Sequence, residues 1–337
     1  MLRTELRCWN RLLPTVSSLF RVLIASARVD FGSVGETKFF HGLRSSSRGL
    51  AMIAATLFVL AAMHSTPLLA QEDPSGEWGS PHRVLLEDDN SAQLGDYTGI
   101  PINDAARYHA DTWESLVGLP ENQCKQNGAN HSWRGPIPLR IWKEVDQQTQ
   151  AIIAYHTHIA YMGPEQTIYM DGRPDPPPYA AHTFQGFSTG HWEGDILAYK
   201  TDHLKADLIR WNGIPSSDLA TMSTHFVRHG DHMTVVVVLY DPVYLTEPLI
   251  HTFNLLYAPT QVIAPYPCEP FDETDLPKGV IPSHMPGTNE FLNEFPARFN
   301  VPPEAARGGA ETMYPEFIAK MKTMKKLPRI TTKADKP

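Results

Sequence analysis

Residues 220–241, ATMSTHFVRHGDHMTVVVVLYD, decide the fold. Two stretches, 220–228 and 233–241, are rich in β-branched and apolar residues. The four residues between them, His229-Gly230-Asp231-His232, form a loop that contains a glycine, so the whole reads as a β-hairpin. Working outward, LIHTFNLLYA (249–258) continues the β pattern downstream. Upstream, LRIWKEVD (139–146), AIIAYHTHI (151–159) and TIYM (167–170) read as strands because they are rich in Ile, Tyr, Trp and Val. Shorter strands are expected near 187–192 and 195–201. RPDPPPY (173–179) is excluded from any central strand, since proline has no N–H to give to a ladder. Short strands at regular spacing predict a mainly β fold, an antiparallel β-barrel or curved β-sandwich over about 135–260.

The flanks read differently. Residues 71–101 are polar and turn-rich, an arm leading into the core. NDAARYHADTWESLV (103–117) predicts a helix capped by Asn103, with Ala106, Trp113 and Leu116 on one face. Nine prolines between 263 and 303 predict an extended C-terminal wrap, and 310–326 predicts a closing helix with Phe317, Ile318, Met321 and Met324 as its apolar side.

Residues 48–71, RGLAMIAATLFVLAAMHSTPLLAQ, set the compartment. Arg44 and Arg48 precede an uncharged apolar run from Ala51 to Met63, and Leu68-Leu69-Ala70 offers a cleavage site before Gln71. The run is too short to span a bilayer, which takes about 20 residues, and reads as a secretory signal. Residues 1–70 are therefore expected to be leader and signal peptide, and 71–337 a single domain that is periplasmic or secreted. The chain carries a net charge of −8 and the leader +5, so the remainder carries −13. That charge disfavours nucleic acid and anionic membrane surfaces as partners. No further apolar stretch is long enough to span a membrane. Of three cysteines, Cys8 falls in the leader, and an oxidising compartment predicts a disulfide between Cys124 and Cys268.

Candidate chemistry clusters at turns. In Met170-Asp171-Gly172-Arg173, a strand ends in a turn where Asp171 and Arg173 can orient a polar ligand group. In Gly190-His191-Trp192-Glu193-Gly194-Asp195, Glu193-Gly194 fits a two-residue hairpin, Trp192 can plug a barrel end, and Glu193 with Asp195 makes a carboxylate pair for acid/base work. Asp241 precedes Pro242 at the end of the longest β-branched run and can face a barrel mouth. His156 and His158 lie two apart in a strand and so share a face, the minimum for a divalent metal site; a cupin pattern fails because Glu165 lies too far downstream. No nucleophile elbow, phosphate loop, His-Glu-x-x-His or dinucleotide glycine pattern is present.

Together, MDGR at 170–173, GHWEGD at 190–195 and DPVY at 241–244 resemble a group of uncharacterised secreted bacterial proteins that carry MDGR and G-x-WEGD motifs. The resemblance covers about residues 120–270 and implies a signal-bearing, β-rich, single-domain protein, without implying a reaction. Ala198-Tyr199-Lys200, where a more apolar strand is usual, and the histidine content set this chain apart.

The functional expectation is a barrel that binds a small, largely apolar organic molecule among the aromatics Trp142, Tyr155, Tyr161, Tyr169, Trp192, Phe226, Phe253 and Tyr257. The alternatives are an enzyme using Asp171, Arg173, Glu193, Asp195 and Asp241 at the barrel mouth, and a metal-binding protein using His156 and His158. No cofactor is called for beyond that divalent metal.

Overall fold

The hairpin at 220–241 forms, and its burial alternates. Met222, Thr224 and Phe226 on one strand and Met233, Val235, Val237 and Leu239 on the other are almost fully buried, while the residues between them are partly exposed. Period-two burial turns one face of a sheet into an interior. His229 pairs with His232, so the turn is the two-residue Gly230-Asp231, with Gly230 at φ +61°, tighter than the four-residue loop expected.

A computed structural model describes residues 71–80, 93–114, 123–133, 138–270, 277, 280 and 282–330. The expected leader and signal peptide and Leu116 lie outside the described residues. In chain order the strands are β1 (Gly76–Gly79), β2 (Leu139–Val145), β3 (Ile152–Ile159), β4 (Glu165–Tyr169), β5 (Phe187–Glu193), β6 (Ile196–Asp202), β7 (Asp207–Leu208), β8 (Pro215–Ser216), β9 (Thr221–His229), β10 (His232–Tyr240) and β11 (Leu249–Tyr257). Nine of them close a barrel in the order β1-β11-β10-β9-β6-β5-β4-β3-β2, and β7 pairs with β8 alone. The chain is therefore mainly β and a barrel, not a sandwich.

Two features differ from expectation. Barrel neighbours are antiparallel except β4 and β5, which run parallel with Ile168 opposite Ser188. A parallel pair needs a crossover of a dozen or more residues. The proline run between Met170 and Gly186 is that crossover. It is held beside β6 by Lys200, whose Nζ donates to Asp175 at 3.1 Å. The second is β1, which lies in the segment read as a polar arm and upstream of the 135–260 window. It pairs with both β11 and β2 and closes the barrel.

The interior is a side-chain core. Trp78, Leu139, Tyr155, Ile168, Leu197, Tyr199, Phe226 and Val235 are almost completely buried, and Trp133 packs edge-on against Phe226 at 5.6 Å. Small barrels can be filled this way, to crystal-like density. A polar strip runs through it. Gln166 donates to Ser188 Oγ (3.1 Å) and Thr201 Oγ1 (3.3 Å) and accepts from the Tyr199 hydroxyl (3.2 Å).

Outside the barrel, Cys124 and Cys268 form a disulfide that fastens the proline-rich segment to the chain 144 residues earlier. Among the described residues the first helix spans Asp104–Thr112, with Asn103 Oδ1 accepting from the Ala106 N–H as expected of a cap. The single closing helix expected at 310–326 is corrected. Ala310–Met313 is a 3-10 turn, Tyr314 is extended, and Pro315–Met321 is a separate helix, because the Pro315 ring cannot sit inside a continuous helix but suits its first turn.

Candidate ligand groove and barrel mouth

On β2 and β3 the residues facing away from the core are Arg140, Trp142 and Glu144, and His156 and His158, which the register sets side by side: Arg140 opposite His158, Trp142 opposite His156. Glu165 on β4 pairs with His158. Of these, Arg140, Trp142, His158 and Glu165 line a groove of about 530 Å³ together with Ile263. Its wall is the proline-rich segment, fixed at three points. Gln261 Nε2 donates to the Trp78 carbonyl at 3.1 Å, Tyr266 meets Tyr161 edge-on at 5.8 Å, and Cys268 is bonded to Cys124.

The polar groups in and beside the groove are held in place. Arg140 Nε donates to Glu77 Oε1 at 2.5 Å. The His156 ring stacks on Trp142 with centroids 5.2 Å apart and planes 17° from parallel, its Nδ1 3.1 Å from Thr167 Oγ1 and its Nε2 3.2 Å from Glu144 Oε2. His158 Nδ1 lies 3.1 Å from Glu165 Oε1. His156 and His158 thus share a face, as their spacing predicts, but each is matched with its own carboxylate. Among the described residues no three His, Cys, Asp or Glu side chains gather as a metal-ligand set.

The proposed acid/base residues divide between the two barrel ends. β4 and β5 finish, β6 starts, β9 finishes and β10 starts at one end, called lower here. Asp171, Arg173, Glu193 and Asp195 are on its rim, and Asp241, following β10, is at the upper end. Asp171 and Arg173 make a bidentate pair, with 2.6 Å between Arg173 Nη2 and Asp171 Oδ2, and the guanidinium lies 3.6 Å over the Tyr169 ring. The Arg173 hydrogen bond holds the Asp171 carboxyl down at about 2. Glu193 lies 2.9 Å from His191 Nε2. The turn residues are Gly194-Asp195 rather than Glu193-Gly194. Asp241 is buried and accepts from the Ser217 N–H (2.7 Å) and hydroxyl (2.8 Å) and from the Val243 N–H (2.9 Å), so it fastens a loop and does not face a mouth.

Sequence reasoning missed a group at the lower end. Asp73 and Ser75 precede β1, Lys143 is near the end of β2, and Tyr155 is in the first half of β3. Asp73 Oδ2 accepts from Lys143 Nζ at 2.6 Å and Oδ1 from the Ser75 N–H at 3.0 Å. Burial raises the Asp73 carboxyl, but the bonds from Lys143 and Ser75 outweigh it and leave the group below its ordinary value. Tyr155 is fully buried, and its ring meets Trp192 in a T-shaped contact at 6.2 Å, which places Trp192 at this end. Burial, then the facing Asp73 charge, pushes the Tyr155 hydroxyl upward. One sequence signal was available: Lys143 continues the inward alternation of Leu139 and Ile141, and an inward lysine needs a partner.

No family model, curated protein or solved structure matches this chain.

Proposed function

We propose that this chain is a secreted or periplasmic binding protein whose barrel is a rigid frame for a small-molecule site on its outer wall. The observation that carries the reading is the groove at Trp142. Its volume falls in the range of about 300–1,000 Å³ typical of ligand sites. It combines an aromatic face and Ile263 with three polar side chains, Arg140, His158 and Glu165. The ligand class that suits it is a small, largely apolar organic molecule with a flat body to lie against Trp142 and Ile263 and one polar end to meet Arg140 or the His158–Glu165 pair. The barrel interior offers less, because its inward positions are filled by side chains.

The disulfide and the signal-like segment support a location outside the cytoplasm, and kinship with the secreted MDGR and G-x-WEGD proteins belongs to the same proposal. The acid/base reading has less support, since Asp171 and Arg173 satisfy each other, Glu193 pairs locally and Asp241 is at the opposite end. Native mass spectrometry of protein released gently from the periplasm tests the proposal. A small organic adduct is expected on the wild type and absent from Trp142→Ala and Arg140→Ala. An adduct that survives both substitutions would overturn the groove assignment.

A further inference from the structure

One cross-strand row of charged side chains runs past the groove at Trp142. The register sets Glu77 on β1 opposite Arg140 on β2, Arg140 opposite His158 on β3, and His158 opposite Glu165 on β4. The row is used as two pairs. Arg140 Nε donates to Glu77 Oε1 at 2.5 Å, and His158 Nδ1 lies 3.1 Å from Glu165 Oε1.

A guanidinium carries five N–H donors, and Glu77 takes the one on Nε. Among the described residues nothing accepts from Nη1 or Nη2, although Arg140 lines the groove and its side chain is 49% exposed. The ion pair thus steadies the guanidinium by one edge and leaves the Nη1–Nη2 edge uncommitted. Two N–H groups side by side match the two oxygens of a carboxylate. Glu77 already offsets the Arg140 charge, so a spherical anion gains little here, whereas a planar one gains the fork. Glu165, the groove's own carboxylate, stands two strands from Arg140, about 10 Å away, with His158 between them.

Trp142 lies two residues along β2 from Arg140 and on the same face, about 7 Å away. Its indole is stacked on the His156 ring, and Ile263 lines the space with it. Resting on the groove as the ligand site, we propose that its ligands are aryl-alkanoic acids. The carboxylate accepts from Arg140 Nη1 and Nη2, and the ring lies against Trp142 and Ile263. The offset between Arg140 and Trp142 sets the length. A ring that carries its carboxylate on a chain of about two carbons reaches both residues, and benzoate, which has no chain, reaches one.

The test titrates 3-phenylpropanoate, its neutral isostere 3-phenylpropanamide, benzoate and chloride at matched ionic strength, read by calorimetry and by the Trp142 indole resonance. Wild type should bind the acid saturably, about tenfold or more tighter than the amide, and benzoate more weakly than the longer acid. Arg140→Lys keeps the charge but not the fork, and it should erase most of the advantage of acid over amide, as should Arg140→Gln. Acid and amide that bind alike while both move the Trp142 resonance would overturn the carboxylate assignment and leave the groove standing. An acid preference that survives both Arg140 substitutions would do the same. Benzoate binding as tightly as 3-phenylpropanoate would overturn the length. Acid binding untouched by Trp142→Ala would overturn the groove reading along with the proposal. If neither ligand moves the Trp142 resonance, this ligand class is wrong, and the adduct seen by native mass spectrometry judges the groove separately.

Discussion

Replacing both bridging cysteines, Cys124→Ser with Cys268→Ser, tests how far the proline-rich wall depends on its covalent anchor. The bond closes a loop of 144 residues. On chain-entropy grounds such a crosslink removes about 17 cal/mol/K from the unfolded ensemble, or about 5 kcal/mol at 25 °C. Measured values more often fall at about 2–4 kcal/mol. With a urea dependence of about 2–3 kcal/mol per molar for a domain of this size, the midpoint should drop by roughly 1–2 M. The barrel itself should persist, because no strand of its ladder contains either cysteine. The wall would keep its Gln261 and Tyr266 contacts. Equilibrium urea unfolding followed by tryptophan fluorescence and far-ultraviolet circular dichroism reads both quantities. An unchanged midpoint would refute the entropic argument. Loss of β signal without denaturant would show that the barrel cannot form unless the bond is made.

Two further outcomes follow from side chains outside the groove. His203 Nδ1 is 2.7 Å from Asp202 Oδ1 and its Nε2 is 3.0 Å from the Pro177 carbonyl, so the charged ring, which donates from both nitrogens, holds the crossover to the barrel. The Asp202 bond raises the His203 pKa above its ordinary 6.5. A raised folded-state value means the stabilisation is complete below about pH 6.5 and is lost as pH climbs through the folded value. The Tm gap between wild type and His203→Gln should therefore be widest in acid and narrow toward alkaline pH, and a gap that widens with pH would contradict the assignment. Gln166→Leu removes the hub of the buried polar strip: the Tyr199 hydroxyl loses its amide acceptor, while Ser188 and Thr201 lose the Gln166 donor and keep only their 2.8 Å bond to each other. Urea unfolding should show a loss of about 1–3 kcal/mol, and a loss under about 0.5 kcal/mol would mean the strip rearranges around the change.

The barrel was legible where strands are long enough to alternate. β9 buries every second residue from Met222 to Phe226 and β10 from Met233 to Leu239, and that repetition is visible in the letters. β1 was not legible, because four residues with one inward side chain, Trp78, carry no period. The parallel β4–β5 pair was equally hidden. Its proline crossover reads correctly as non-strand, but nothing local says that the chain crosses the barrel there rather than turning back.

The sites divide in the same way. Strand parity put His156 and His158 on one face and Tyr155 on the other, and both placements agree with the register. The groove depends on Ile263 and Trp142 lining one space, and the lower end depends on Asp73 meeting Lys143. Both are long-range contacts created by barrel closure, and no spacing in the sequence encodes them. The turn residues Asp171, Arg173 and Glu193 stood out in the sequence because turns concentrate polar side chains. Asp171 and Arg173 bond each other, and Glu193 pairs with His191 on its own strand.

The measurement that bears most directly on the groove is two-dimensional NMR of the tryptophan indoles during titration with hits from a small-molecule fragment screen. Trp142 is 37% exposed on the outer wall, whereas Trp78 and Trp133 are buried in the barrel. Binding in the groove predicts that the Trp142 indole resonance moves in a saturable way while those of Trp78 and Trp133 stay fixed. Movement of Trp78 and Trp133 with Trp142 unmoved would place the ligand in the barrel interior and contradict the account.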